Sequence, residues 1–216
     1  MKRRDFSIQL AGAGLGFGLT GAVRAQGAPV EGQQYVRLST PTSVSLPAAD
    51  KKIEVVEFFW FGCPHCFAFE PMLESWAKRL SADVAFRQVP VGFMAPHQFH
   101  QRLFYALEEM GQLKALQPKI FAAIHQQNKR LSSDAEVLAF VTANGVDGAK
   151  FSDSFKSFGV NNKAMRAKQL SEAYKIDGVP AIGVHGRFYT SGALAGSHER
   201  AVQVADFLIQ RVRQNT

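Results

Sequence analysis

The sequence predicts an α/β domain split by a helical insertion, and three observations carry that prediction. Residues 53–61, Ile-Glu-Val-Val-Glu-Phe-Phe-Trp-Phe, are a nearly continuous β-branched and aromatic run, the pattern of a strand covered on both faces. From about Pro96 to Leu170 the chain carries helical segments and no good strand candidate. It then returns to two short strand-like runs and a last amphipathic helix.

The elements follow in order. Residues 1–25 read as an export signal: Lys2, Arg3 and Arg4 precede an apolar stretch from Ile8 to Val23, and Val23-Arg24-Ala25 places small residues at −3 and −1 of a cleavage site after about Ala25. Arg3-Arg4-Asp5-Phe6 resembles a twin-arginine signal, with Lys2 where Ser or Thr is usual. Either export route delivers the chain to the periplasm, where disulfides can form. Gly12 to Gly18 is no nucleotide loop, since it lies in this leader and has Phe17 where the motif needs Gly. Residues 26–33 are predicted as a mobile tail and 35–38 as a short strand. Gly62 ends the run at 53–61, and residues 67–80 have helical spacing through Phe69, Leu73, Trp76 and Leu80. Pro64 suits the first helical position, where its missing N–H costs nothing. Residues 84–91 are a second buried strand. The helical stretch is punctuated by Gly111, Pro118, Ser132-Ser133-Asp134, Gly145 and Gly159, with Ser133 or Asp134 as a cap. Residues 175–180 form a loop, 181–184 and 187–190 a hairpin over His185-Gly186, and 198–213 a helix capped by Ser197, with Val202, Ala205, Phe207, Leu208 and Val212 on its apolar face.

Composition excludes several classes. The 46% hydrophobic content disfavours disorder. The net charge of +7 shrinks once the leader is set aside, leaving 21 Lys plus Arg against 17 Asp plus Glu, a net of +4. Without a dense basic run, that gives no support to nucleic-acid binding. Two cysteines exclude a disulfide-dense scaffold and cannot complete a four-thiolate metal site. His97 and His100 are the obvious further metal ligands, but a lone HxxH pair reads as a surface or cap feature, so no metal is expected. Covalent haem attachment needs His after the second cysteine, where this chain has Phe67.

The spacing of Cys63 and Cys66 carries the chemistry. Cys63 stands where a buried strand ends and a helix begins, facing free backbone N–H groups and the positive end of the helix dipole. Both stabilise a thiolate and lower its pKa, and His65 pushes the same way. Cys66 lies one turn on, within reach of a disulfide, and is expected to be more buried and less acidic. Cys63 is thus the attacking sulfur and Cys66 the resolving one. A pair whose reduced form is stabilised gives its disulfide away. A purely structural disulfide is a weaker expectation, because so short a loop restricts the unfolded chain little.

These residues resemble the thiol:disulfide interchange protein DsbA family. Glu57-Phe58-Phe59-Trp60-Phe61-Gly62-Cys63-Pro64-His65-Cys66 is similar to its active-site motif, and Gly178-Val179-Pro180-Ala181 to the loop that carries a cis-proline opposite the site. The resemblance covers most of residues 35–213. It implies a thioredoxin-like fold with an inserted α-helical domain: a first part at 26–93, the insertion at 94–167 and a second part at 168–216. It implies that Cys63 and Cys66 form the redox-active disulfide with Pro64 and His65 between them. Val179 and Pro180 would bind an extended substrate strand, and Glu57 would have a raised pKa and accept or relay a proton. Where the family has a lysine paired with that glutamate, this chain has Gln88, with Arg87 on the opposite face. Pro90 stands where a histidine is common. The partners implied are unfolded or newly exported Cys-containing polypeptides and a quinone-linked membrane oxidase of the DsbB type, with no bound cofactor and a monomeric protein. Phe61, Phe67, Phe93, Met94 and Phe99 are candidates for an apolar groove near the site, while Trp60, Trp76 and Tyr105 read as core. A reductase or isomerase using the same cysteines stays compatible with these residues. So does a thioredoxin-fold binding or metallochaperone module without turnover.

Overall fold

The computed structural model describes residues 27–47 and 50–214; the predicted signal at 1–25 and its cleavage point lie outside them. The described elements are β1 (Val36–Arg37), β2 (Ile53–Phe59), α1 (Pro64–Ala77), β3 (Val84–Pro90), α2 (Ala95–Glu109), α3 (Leu113–His125), α4 (Asp134–Ala143), α5 (Gly148–Lys156), α6 (Phe158–Ala173), β4 (Ala181–Val184), β5 (Phe188–Ser191), α7 (Gly192–Ala195) and α8 (His198–Arg213). The strands form one sheet in the order β1-β5-β4-β2-β3. β2 runs parallel to β3 through the α1 crossover and antiparallel to β4. All seven residues of β2 are buried, as the unbroken apolar run predicts for a strand covered on both faces.

The sheet separates two apolar cores. On one side Val56, Phe58 and Phe59 pack with Phe104, Phe121, Val137 and Phe155 of the helices between β3 and β4. On the other, Ile53 and Val55 pack with Leu73 and Trp76 of α1 and Leu208 and Val212 of α8. Ser197 caps α8 by accepting from Arg200 N, and its buried face is the predicted one except that Phe207 is only partly covered. Ser133, not Asp134, caps α4, in a reciprocal capping box with Glu136.

Several expectations need correction. α1 begins at Pro64, the first helical position that the sequence predicts, but it ends at Ala77, short of Leu80, and Pro71 lies inside it. Pro118 also lies inside a helix, α3, and does not divide two. The stretch predicted as a mobile tail is tied down: Gly32 N donates to Tyr35 O, Arg37 pairs with Glu31, and Arg200 donates to Gly27 O. The hairpin turns at His185 and Gly186 as predicted, both with positive φ, but its second strand starts at Phe188. The four-residue α7 was not foreseen, because one turn is too short for apolar periodicity. Ser191 caps it and Gly196 closes it in the left-handed region. No helix among the described residues is long and apolar enough to cross a membrane.

Candidate active site

β2 delivers the chain through Trp60, Phe61 and Gly62 to the start of α1, and Cys63 becomes that helix's N-cap with extended backbone angles. The N-cap position aims its side chain at the free N–H groups of the first turn. Cys66 N donates to Cys63 Sγ at 3.4 Å. Pro64 follows at the first helical position, exposed, as is His65. Gly62 is required by close approach, since a Cβ there would lie 2.4 Å from the Trp60 ring.

The two sulfurs are thiols in very different surroundings. The Cys63 pKa falls from the ordinary 9.0 to about 6. The hydrogen bond from the Cys66 side chain is the largest cause, burial opposes it, and the N–H groups of Cys66 and His65 and the His65 charge add to it. Cys66 is fully buried, and its thiol is pushed far up, first by burial, then by its hydrogen bond to Cys63 and by the Glu57 charge. The predicted order of acidity therefore holds in the geometry.

Val179 and Pro180 arrive from the loop before β4. Their peptide bond is cis, and the Cys63 thiol donates to Val179 O at 3.4 Å. A groove of about 680 Å³ opens beside them, lined by His65, Val179, Pro180, Tyr189, Leu194 and His198 among others.

Beneath the sulfurs lies Glu57, fully buried on β2. Its carboxyl is held well above the usual range, chiefly by burial, then by the Glu70 charge, against the opposing hydrogen bond from Gln88. Gln88 is the registered partner of Glu57 on β3 and donates to it at 2.7 Å. Arg87 points the other way, to buried Glu54 at 3.0 Å, as the alternation of a strand requires. Pro90 ends β3 on the sheet edge, where no further strand needs the N–H that proline lacks, and its carbonyl accepts from Gln101.

Two residues joined to Glu57 through Gln88 were missed by sequence reasoning. Glu70 lies one turn after Cys66 on α1, so i,i+4 spacing was a usable signal. Gln117 reaches in from α3 and carries no local signal. His125 was missed as well: its Nε2 lies 2.8 Å from Phe61 O, and its ring stacks on Phe67 at 5.0 Å.

The apolar groove candidates divide. Phe61 is wholly buried in the core and Phe99 packs on Phe155, while Phe67 is half-buried and Phe93 and Met94 are exposed. Trp76 and Tyr105 are core residues, but Trp60 is only partly covered and rests on His97 at 4.3 Å. His97 and His100 are not surface residues; α2 turns both inward, and His100 Nε2 lies 3.1 Å from Leu131 O. Among the described residues no three His, Cys, Asp or Glu side chains converge as metal ligands would.

Comparisons with known proteins agree with this geometry. A family profile for the DSBA-like thioredoxin domain matches residues 98–200. The chain is 39% identical to the thiol:disulfide interchange protein DsbA of Burkholderia cepacia over 98% of each chain. It is 42% identical to that of Bordetella pertussis over 99% of this chain and all of the relative. Among solved structures, the crystal structure of Pseudomonas aeruginosa DsbA superposes with a TM-score of 0.82 at 39% identity, covering 87% of this chain and 96% of that one.

Proposed function

The chain belongs to the DsbA family and is a thiol:disulfide oxidoreductase, and from that premise we propose that it donates the Cys63–Cys66 disulfide to unfolded, newly exported polypeptides in the periplasm. One observation carries the direction of transfer. Cys63 caps α1 with a pKa of about 6 while buried Cys66 is pushed the opposite way. A thiolate stabilised in the reduced form makes the disulfide the less stable partner, so it passes to substrate.

A substrate thiolate attacks Cys63 Sγ, the Cys63–Cys66 bond breaks, and Cys66 leaves with the electron pair. A second substrate thiol then attacks the mixed disulfide, leaving substrate oxidised and the pair reduced. Cys63 carries the mixed disulfide, Cys66 is the displaced sulfur that would resolve it in the reverse direction, and Pro64 and His65 shape the turn that stabilises the thiolate. Val179 offers its backbone to an extended substrate beside Pro180, supported by the Val179 carbonyl lying against Cys63. Glu57 exchanges a proton with Cys66. Reoxidation falls to a quinone-linked membrane oxidase of the DsbB type. The protein works as a monomer without a bound cofactor or nucleic acid. It works after removal of residues 1–25, with its thioredoxin-like parts at 26–93 and 168–216 and its insertion at 94–167.

Equilibration with glutathione buffers tests the direction. A reduction potential at the oxidising end of the thioredoxin-fold range is expected, and one near thioredoxin's would reassign the chain as a reductase or isomerase. Cys66→Ser should accumulate mixed disulfides with unfolded polypeptides whose thiol is first activated as a glutathione mixed disulfide, Cys63 attacking the polypeptide sulfur and glutathione thiolate leaving. A variant that traps none would point to a binding module without turnover.

A further inference from the structure

Four side chains from four elements meet below Cys66: Glu57 of β2, Glu70 of α1, Gln88 of β3 and Gln117 of α3. Their hydrogen bonds leave little freedom. Gln117 Nε2 donates to Glu70 Oε1 at 2.7 Å and to Gln88 Oε1 at 2.8 Å. An amide that accepts on its oxygen from Gln117 must turn its NH2 the other way. Gln88 Nε2 accordingly faces the carboxylates, 2.7 Å from Glu57 Oε2 and 3.2 Å from Glu70 Oε2. Among the described residues neither carboxylate has an ion-pair partner. The charged or titratable groups that interact with them are each other, Cys63, Cys66 and Glu74 of α1, while Ile182 of β4 lies opposite Glu57. Two carboxylates bridged by one neutral amide, one of them fully buried, do not both ionise. The other oxygen of Glu57, Oε1, is buried with no partner, which is the atom left to carry a proton. Glu70 is only half-buried and connects the group to water.

We propose that Gln117 is a positioning residue of the redox site: by locking Gln88 it makes Glu57 and Glu70 a one-proton store that serves Cys66. The proposal rests on the disulfide-donor function above. When a substrate thiolate opens the Cys63–Cys66 bond, the electron pair leaves on Cys66 Sγ and the stored proton moves from the carboxyl pair to that sulfur. Glu70 then takes a replacement proton from water. Reoxidation runs the transfer backward: Glu70 releases its proton to water and Cys66 returns its own to the pair. The inserted helices thereby contribute a side chain to the proton chemistry of the sulfurs.

The test uses the intact protein with Gln117→Asn, Gln117→Met and Gln88→Lys. The infrared band of protonated carboxyl groups is followed against pH in both redox states, beside the pH dependence of disulfide transfer to a reduced peptide. The unaltered protein should hold one protonated carboxyl near neutral pH, with a band that changes on oxidation. Loss of the Gln117 donor should move its titration upward by about one pH unit, and move the transfer profile with it. Gln88→Lys, which inserts a cation between the carboxylates, should abolish the neutral-pH band. The Asn variant keeps a polar group in place should the Met variant fail to fold. The proposal is overturned if folded Gln117 variants titrate as the parent does, or if the parent holds no protonated carboxyl near neutral pH. A parent that holds the proton yet transfers no disulfide to peptide would sink the disulfide-donor function instead.

Discussion

Cys63 shows how much one N-cap position does. Its side chain competes for N–H groups that a helix leaves unpaired, and these stabilise the anion and not the thiol. The folded-state pKa of about 6 lies below the ordinary 9.0, so this group stabilises the reduced protein fully above about pH 9, and the stabilisation is lost as pH falls through about 6. The melting temperature of the reduced form should therefore drop relative to the oxidised form between pH 9 and pH 6. Thiolate absorbance should titrate near pH 6 in the same protein. His65→Ala should raise that midpoint by about half a unit, since the His65 charge is only the last of several causes. A midpoint unchanged from an ordinary thiol would remove the physical basis of the oxidising function. The two cysteines, Pro64 and His65 were legible from spacing alone, because one turn of helix fixes their relation. Glu57 was legible as a charge inside an apolar run. Gln117 was not, because its contacts span 29 and 47 residues.

Elements with local signals were read well. Ser133 and Ser197 each cap within one turn, and such a pattern needs no tertiary partner. Ser133→Ala should cost about 1 kcal/mol in urea unfolding, by leaving Glu136 N without its acceptor. A cost near zero would mean that α4 is held by packing of Val137, Phe140 and Val141 alone. Pro118 misled where burial overrode propensity: like Pro71 inside α1 it loses one helical hydrogen bond, yet both helices continue because neighbouring apolar residues are packed into the core. The tail at 27–33 misled in the opposite sense. Its composition is that of a loose segment, but Glu31 and Gly27 find arginines from distant elements.

The whole molecule folds around one sheet with a core on each face. The helices between β3 and β4 do not form a separate core, since Phe104, Phe121 and Phe155 pack in the same cluster as Phe58 and Phe59 of β2. Both sides should therefore unfold together. Trp60 rests against the cluster on the helical side, and Trp76 is buried in the cluster beneath α8. Urea denaturation followed by fluorescence in Trp60→Phe and Trp76→Phe should coincide, in each variant, with the loss of far-ultraviolet dichroism. A separate transition at Trp60 would show that the helical side unfolds on its own.

By itself, the sequence determined the α/β order, the buried central strand, the capped helices and the reactive cysteine pair. These follow from period, composition and spacing over a few residues, and each is local in the chain. The motif resemblance anticipated the cis Val179–Pro180 loop beside Cys63, whereas the tertiary structure alone decided that Phe61 is core while Met94 is exposed and that Gln117 reaches the Glu57–Gln88–Glu70 group. Those outcomes depend on which distant segments the sheet and helices bring within a few ångströms, and long-range packing leaves no periodic trace in the sequence.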